Sequence, residues 1–343
     1  MSGPVLARLL KREPLAPREI RTVFDRLVAP TTTDVERAGL LIALAGRSVR
    51  ADELAGFARE MRRRATPFPI PPRERPVDLC GSGGARVPSF NVSTVAAFVV
   101  RAAGPPVVKH GNRSSTGLCG SSDLLEALGL PVTFSPAFAR ATYRRWRLAF
   151  LHAPLFHPAT KAVGAVRRAL GVPTVFNRLG PLANPAAVPY QVAGAPDPGT
   201  AELFAHALRR LGVRRGVTMA SEDGCDEFSP RARTRIWSWG PGPPHPSRLV
   251  PERLLAPPER RGPWDPLPPP RAAVEAERLL RGGAGARRGS VLLTSGAALW
   301  CSGSARSIRE GVEQARSVLD RGEALEMLER MREVAGGGAG GVR

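Results

Sequence analysis

The stretch VDLCGSGGARVPSFNVSTVAAFVVRAAGPPVVKHGNRSSTGLCGSSDLLEALG, from Val77 to Gly129, decides the reading of the fold. Its opening, Pro76-Val-Asp-Leu-Cys80, is a short apolar run bounded by turn residues and reads as a buried strand. A glycine loop follows, Gly81-Ser-Gly-Gly84. Phe90-Asn-Val-Ser-Thr94 then leads into an apolar helical run from Val95 to Ala103. Strand, glycine loop and helix start together gather bare backbone N–H groups and a positive helix end around one anion. A second strand, Val107-Val-Lys-His110, brings Lys109 to the same side and ends in Gly111-Asn-Arg113. A further loop, Cys119-Gly-Ser-Ser-Asp123, starts the next helix. Two anion-cradling turns at adjacent strand ends point to a ligand with more than one phosphate group.

Composition narrows the class. A chain of 343 residues with 43% hydrophobic content can bury a sizeable core, as one large domain or two. No apolar segment reaches the length of a membrane span. The N-terminal MSGPVLARLLKREPLAPREI carries charges inside its apolar pattern, so a cytoplasmic protein is expected. Cys80, Cys119, Cys225 and Cys301 are widely separated and form neither a CxxC pair nor a metal-ligand spacing; reduced thiols are expected. The net charge of +20 raises nucleic acid as a partner. Lysine occurs only at Lys11, Lys109 and Lys161, however, and arginine supplies the other 47 basic residues, scattered and without interleaved aromatics. Solvated faces are the better reading, and no nucleic-acid partner is expected.

Residues 1–66 show helical periodicity without strand signals. Val5, Leu6, Leu9 and Leu10 share one face, and Ile20, Val23, Phe24 and Leu27 form a core-facing stripe. Pro67–Pro76, with five prolines, is a linker. Further strands are expected at Trp146–Leu151, Tyr190–Ala193 and Val217–Ser221, alternating with helices at Ala159–Leu170 and Thr200–Leu211. That alternation predicts a largely parallel sheet with ligands at the strand C-terminal ends. Residues 231–287 are Pro/Arg-rich, and only a short strand at Arg235–Trp239 is legible there. Ser290–Trp300 and Ser307–Leu319 read as helices, and the glycine-rich 336–343 as a disordered tail.

The ordered set GSGG…FNVST…KHGNR…CGSSD resembles the anthranilate phosphoribosyltransferase family, whose usual pattern is close to GTGGD…FNIST…KHGNR…SGSAD. The segment from Ala153-Pro-Leu-Phe-His157-Pro158 through Val166-Arg-Arg-Ala-Leu-Gly171 to Phe176-Asn-Arg-Leu-Gly-Pro-Leu-Ala-Asn-Pro185 resembles the same family, as does the acidic turn Asp226-Glu227-Phe-Ser229. The resemblance implies a small helical N-terminal domain over 1–66, with part of 160–188 a candidate to join it. It further implies an α/β domain over 67–335 that binds phosphoribosyl diphosphate. It implies transfer of the phosphoribosyl group from that donor to the amine of anthranilate in tryptophan biosynthesis, by a magnesium-dependent homodimer using two ions.

Site roles follow from the same resemblance, position by position. Gly81, Ser82, Gly83, Gly84, Asn91, Ser93, Thr94, Lys109 and Ser121 would hold the diphosphate donor. Ser93, Asp226 and Glu227 would hold magnesium, for which paired carboxylates beside a phosphate are suitable hard ligands. Gly81, His110, Asn112, Ala153, His157, Arg167 and Pro181 would line the anthranilate site, with the planar Arg167 guanidinium on the carboxylate. His110 and His157 could equally be structural, orienting loops through hydrogen bonds. No acid/base residue is required, because an aromatic amine is neutral at pH 7. Charge on the transition state would be met by Lys109, Asp226 and Glu227 and their ions.

Four departures from the family pattern stand out. Ala85 replaces the aspartate after the glycine loop, with Arg86 beside it, and Leu118 replaces a polar residue in the second loop. His152 and Arg178 replace apolar residues, and alteration of the acceptor pocket or the interdomain hinge is expected of them. They motivate one alternative, a paralogue acting on another aromatic acid in secondary metabolism; the +20 charge motivates a second, a non-catalytic, nucleic-acid-binding relative, against which the intact glycine and KHGNR motifs argue. A pyrimidine nucleoside phosphorylase would share the architecture, but FNxLGPLxNP and the acidic turn favour the transferase.

Overall fold

The computed structural model describes residues 3–84, 87, 89–114, 118–132 and 135–337. Four helices come first: α1 (Gly3–Leu10), α2 (Pro17–Val28), α3 (Asp34–Ala45) and α4 (Ala51–Arg63). The Thr33 hydroxyl accepts from the Glu36 amide and starts α3. Ile20, Val23, Phe24 and Leu27 of α2 are buried, so the apolar stripe read from their spacing does face the core.

The chain then alternates strand and helix: β1 (Val77–Cys80), α5 (Val92–Ala102), β2 (Val107–Gly111), α6 (Ser121–Ala127), α7 (Pro136–Trp146) and β3 (Leu148–His152). Three short helices follow, α8 (Ala153–Phe156), α9 (Lys161–Leu170) and α10 (Val175–Leu179). Next come β4 (Tyr190–Gly194), α11 (Pro198–Arg210), β5 (Arg215–Ser221), β6 (Thr234–Trp239) and β7 (His245–Leu249). The last four helices are α12 (Pro269–Leu280), α13 (Ala286–Ser302), α14 (Ile308–Asp320) and α15 (Glu323–Gly337).

One seven-stranded sheet in the order β3-β2-β1-β4-β5-β6-β7 carries the molecule. The first five strands are parallel; β6 and β7 add an antiparallel ribbon at one edge. The expected, largely parallel α/β architecture is therefore present. β1, β2, β4 and β5 are buried on both faces, which is why VDLC and its neighbours read as continuous apolar runs rather than alternating ones. On one face lie α5 and α13, buried nearly all round: nine consecutive residues of α5, Val92–Val100, are buried, and so are Ala286–Leu299 of α13. The other face is covered by α11, on which α4 packs, and the apolar side chains of this layer merge with those of α2, α3, α9 and α10 in one cluster. Within that cluster Val163, Val166, Val175 and Phe176 of α9 and α10 pack among residues of α2 to α4.

Three expectations change. The third strand runs Leu148–His152, and Trp146 instead ends α7. Residues 231–287 are ordered, not featureless: β6, β7 and α12 lie there, with two short 3-10 turns between. Helix α15 continues through Gly336 and Gly337, while 338–343 lie outside the described residues.

Candidate active site

The strand order reverses direction of growth between β1 and β4, and it is in the crevice outside the C-terminal strand ends at such a switch point that open α/β sheets bind ligands. The glycine loop leaves β1 into this crevice, and the acidic turn after β5 reaches it across the end of β4. Gly194 makes that crossing possible. A Cβ there would lie 1.6 Å from the Asp226 carbonyl oxygen and 3.4 Å from the Gly81 Cα, so only glycine lets the two loops meet.

Asp226 and Glu227 are brought against the glycine loop. A Cβ on Gly81 would lie 3.0 Å from Asp226 Oδ2 and 3.4 Å from Glu227 Oε1. Asp226 Oδ2 accepts from the Ser82 amide (2.7 Å), the Ser82 hydroxyl (2.8 Å) and the Gly83 amide (3.1 Å). The Gly84 amide donates to the Ser82 hydroxyl at 3.0 Å. These loop donors are therefore already engaged with side chains of the protein. Glu227 is buried, and burial, reinforced by the adjacent Asp226 charge, pushes its carboxyl up to about 8. Ser93, in the first turn of α5, opposes that shift through its hydroxyl and amide. Glu227 Oε2 is buried without a hydrogen-bond partner, as is Thr94 Oγ1. An orphaned carboxylate oxygen beside Asp226 and Ser93 is a hard-oxygen donor set with spare capacity, and it fits magnesium. Among the described residues no group of three or more His, Cys, Asp or Glu could cage a metal alone. Magnesium takes waters and substrate phosphates as its remaining ligands.

Lys109 is buried beneath the crevice, and its Nζ donates to the Leu79 carbonyl at 2.7 Å. The second loop closes on the end of β2. Ser121 Oγ accepts from the Asn112 amide and donates to the Asn112 carbonyl, both at 3.0 Å. Asn91 Nδ2 donates to the Cys119 carbonyl at 2.9 Å, joining this loop to the start of α5. Arg113 is paired with Asp123 and Glu126, and Leu118 is 59% exposed.

On the opposite face of β2, His110 and His157 stack edge to face with ring centroids 5.1 Å apart. Burial, with the neighbouring cations, holds His110 down at about 3 and His157 at about 4, so both are neutral at pH 7. His110 Nδ1 lies 3.1 Å from the Gly180 carbonyl, an acceptor only, so Nδ1 carries the proton. Its Nε2 is then a bare acceptor, buried and unpartnered. Pro181 follows Gly180 in the same turn and is fixed by Gln191, which donates to its carbonyl. Ala153 opens the helix whose end holds His157: its carbonyl accepts from the His157 amide at 2.9 Å. His110, His157, Ala153 and Pro181 thus form one group. Asn112 belongs instead with the second loop, and Arg167 with α10. The Arg167 Nη2 donates to Asn177 Oδ1 at 3.3 Å, and its guanidinium lies over Phe176. Arg167 has no carboxylate partner among the described residues.

Sequence reasoning missed three contributors, Asp78, Asn184 and Arg62. Asp78 in β1 is fully buried, accepts from the His110 amide (3.1 Å) and from Asn184 Nδ2 (2.9 Å), and is pushed up to about 6, chiefly by burial. Asn184 also donates to the Val108 carbonyl at 2.8 Å, tying the Gly180–Asn184 turn to the sheet. A lone carboxylate inside an apolar strand was the available signal. Arg62 sits close enough to act on Asp78, His110 and His157. It keeps some exposed surface, yet its Nε and Nη2 are buried and unpartnered. No sequence signal separates it from the other arginines. His152 is bonded to Ser122 (Nδ1 to Oγ, 2.8 Å) under the second loop, so its side chain turns away from the acceptor group. Arg178 is exposed and acts on Asp197 at the start of α11. Ala85 and Arg86 lie outside the described residues.

Residues 73–325 match the α/β domain of a glycosyl transferase family and residues 3–65 its helical bundle domain. The anthranilate phosphoribosyltransferase of Desulfosudis oleivorans is 38% identical over 340 residues, covering 97% of this chain and 98% of that one. That of Syntrophobacter fumaroxidans is 40% identical over 332 residues, covering 95% and 96%. The chain belongs to the anthranilate phosphoribosyltransferase family. Its fold superposes on the Thermus thermophilus member with a TM-score of 0.89 at 38% identity, over 96% of this chain and 98% of that one. A Saccharomyces cerevisiae member, solved in complex with PRPP and Mg, shares the fold at 23% identity, with a TM-score of 0.83 over 98% and 99% of the two chains.

Proposed function

We propose that the protein transfers the 5-phosphoribosyl group of phosphoribosyl diphosphate to the amine of anthranilate, giving N-(5-phosphoribosyl)anthranilate and diphosphate, in tryptophan biosynthesis. The observation that carries this reading is the meeting, at one strand-end crevice, of the glycine loop, Ser93 and the Asp226–Glu227 turn. The donor's diphosphate would lie over Gly81–Gly84, Asn91, Thr94, Lys109 and Ser121. Ser93, Asp226 and Glu227 would hold Mg²⁺, and two ions remain part of the proposal from the family resemblance alone. Bound there, magnesium would supply positive charge to the departing diphosphate. In the reaction the amine nitrogen forms its bond to the anomeric carbon as the bond to the diphosphate oxygen breaks. The leaving oxygen takes the electron pair, and the amine then releases a proton. His110, with Nδ1–H tied to Gly180, offers the bare Nε2 to that amine hydrogen; neutral His157 packs against it without adding charge.

Anthranilate's carboxylate has a fitting partner in Arg167, half-buried and free of acidic side chains. Loss of a charge-assisted bond of about 1.5–3 kcal/mol predicts that Arg167→Ala raises the KM for anthranilate about 10- to 100-fold. The KM for phosphoribosyl diphosphate should stay near that of the parent, and initial-rate kinetics in both substrates check the split. With His152 and Arg178 turned elsewhere, neither gives a structural reason to prefer another acceptor. The primary test is loss of anthranilate fluorescence on adding phosphoribosyl diphosphate and Mg²⁺. A decay that requires every component supports the reading; retained fluorescence with bound donor would exclude anthranilate as acceptor.

The same reading takes 1–66, joined by part of 160–188, as a helical domain and 67–335 as the α/β domain that binds phosphoribosyl diphosphate. It makes the protein a cytoplasmic homodimer, for which exposed Leu10 (70%), Val35 (84%) and Ile42 (45%) on α1 and α3 offer an apolar face. No described helix is long and apolar enough to cross a membrane, and all four cysteines are free thiols.

A further inference from the structure

The amides expected to receive the diphosphate already hold an anion. Asp226 Oδ2 takes the Ser82 amide, the Ser82 hydroxyl and the Gly83 amide at once. Gly83 adopts φ +68°, a left-handed turn open to glycine, which helps aim successive amides at one point. Among the described residues the partners of Asp226 are the Ser82 and Gly83 donors, and Lys109 spends a hydrogen bond on the Leu79 carbonyl. The glycine loop is thus the main compensation this carboxylate has for its burial.

We propose that Asp226 makes the donor site select the cation-bound form of a diphosphate over the free form, because its carboxylate occupies the glycine-loop seat until a divalent cation offers it another partner. The proposal rests on the reading given under Proposed function and assigns Asp226 a role in addition to metal ligation. A free diphosphate would have to expel Asp226 from three donors and then lie beside the displaced carboxylate, like charge against like. A diphosphate arriving with a divalent cation brings the displaced carboxylate a counter-charge. Asp226 can then leave the seat, and the Ser82 and Gly83 donors become free to turn to phosphate. Ligand binding and carboxylate release are in this way one linked equilibrium.

Calorimetric titration of inorganic diphosphate into the full chain, with and without Mg²⁺, tests this on three proteins: the parent, Asp226→Ala and Glu227→Gln. The parent is expected to bind at least about 100-fold more tightly with Mg²⁺ than without it. Asp226→Ala is expected to bind metal-free diphosphate at least about tenfold more tightly than the parent, and to lose most of the gain from Mg²⁺. Glu227→Gln removes a neighbouring carboxylate without opening the seat, and its metal-free affinity should stay within about threefold of the parent's. Metal-free affinity unchanged or weakened in Asp226→Ala would overturn the proposal. An equal gain in Glu227→Gln would overturn it too, since general repulsion would then suffice. If the folded parent binds no diphosphate under either condition, the donor reading itself fails. Amide hydrogen exchange on the unliganded parent gives a check that needs no variant. The Ser82 and Gly83 amides should be protected; exchange as fast as in an open loop would refute the occupied seat.

Discussion

Turnover is expected to fall about a thousandfold or more in the double variant Asp226→Asn/Glu227→Gln, with the fold intact. Several kilocalories per mole of charge stabilisation at the leaving diphosphate would be lost, and each 1.4 kcal/mol is about a factor of ten. The substitutions keep size and polarity, so the acidic turn can still cross β4 at Gly194 and reach Gly81. Asparagine Oδ1 can still accept from the Ser82 and Gly83 amides, which should hold the glycine loop in place. Relieving two adjacent, buried carboxylates of their repulsion should leave the melting temperature no lower than the parent's. The check is anthranilate fluorescence decay at saturating donor, read beside a thermal melt. A variant that melts normally yet turns over within about tenfold of the parent would remove the acidic turn from the chemistry.

The halves of this site were legible to different degrees, for a physical reason. Each loop is a contiguous run whose composition states its geometry: glycines at the strand end, then Ser93 and Thr94 at a helix start. What the sequence does not carry is the pairing between runs. Ser82 and Asp226 are 144 residues apart, and nothing local says that the carboxylate will seat itself on the loop amides. His152 illustrates the same limit. It stands where the family usually has an apolar residue near the acceptor, which led to the expectation of an altered pocket or hinge, but its ring meets Ser122 under the second loop instead. Arg62 lies deeper still, because burial of a guanidinium is a property of the packed interface between α4 and the turn at His157.

The fold divides likewise. Both-face burial makes β1, β2 and β4 readable as apolar runs, and burial nearly all round makes α5 and the Ser290–Trp300 part of α13 readable as apolar helices. The edge is different. His245–Leu249 exposes four of its five residues and contains Pro246, which an edge strand tolerates, so β7 shows neither alternation nor an apolar run. Helix α12 opens on Pro269 and Pro270, good first-turn residues that look in sequence like more of the Pro-rich segment before them.

The largest expected effect on stability lies away from the crevice, at Glu53. This carboxylate is wholly buried in the helical domain with four donors around it. Oε1 accepts from the Leu15 amide (2.8 Å) and Arg47 Nη2 (2.6 Å), and Oε2 from Arg47 Nη1 (3.1 Å) and the Arg50 amide (3.0 Å). It therefore starts α4, pins the loop before α2, and neutralises an arginine whose side chain is 2% exposed. Glu53→Ala leaves that guanidinium buried and unpaired and orphans two backbone amides. Breaking one side of a buried ion pair costs about 3–5 kcal/mol, a large share of a domain's total stability. Glu53→Gln keeps the shape and about half the bonding, and should fall between the parent and Glu53→Ala. Replacing Arg47 as well, in Arg47→Met/Glu53→Leu, should recover much of the loss, because an apolar pair leaves no charge stranded. Urea unfolding of the four proteins settles the order. If Glu53→Ala unfolds within about 1 kcal/mol of the parent, the pair holds little of the helical domain together. If the order holds, Glu53 is what makes α2 and α4 a fixed wall, and α4 is the helix that carries Arg62 to His110 and His157.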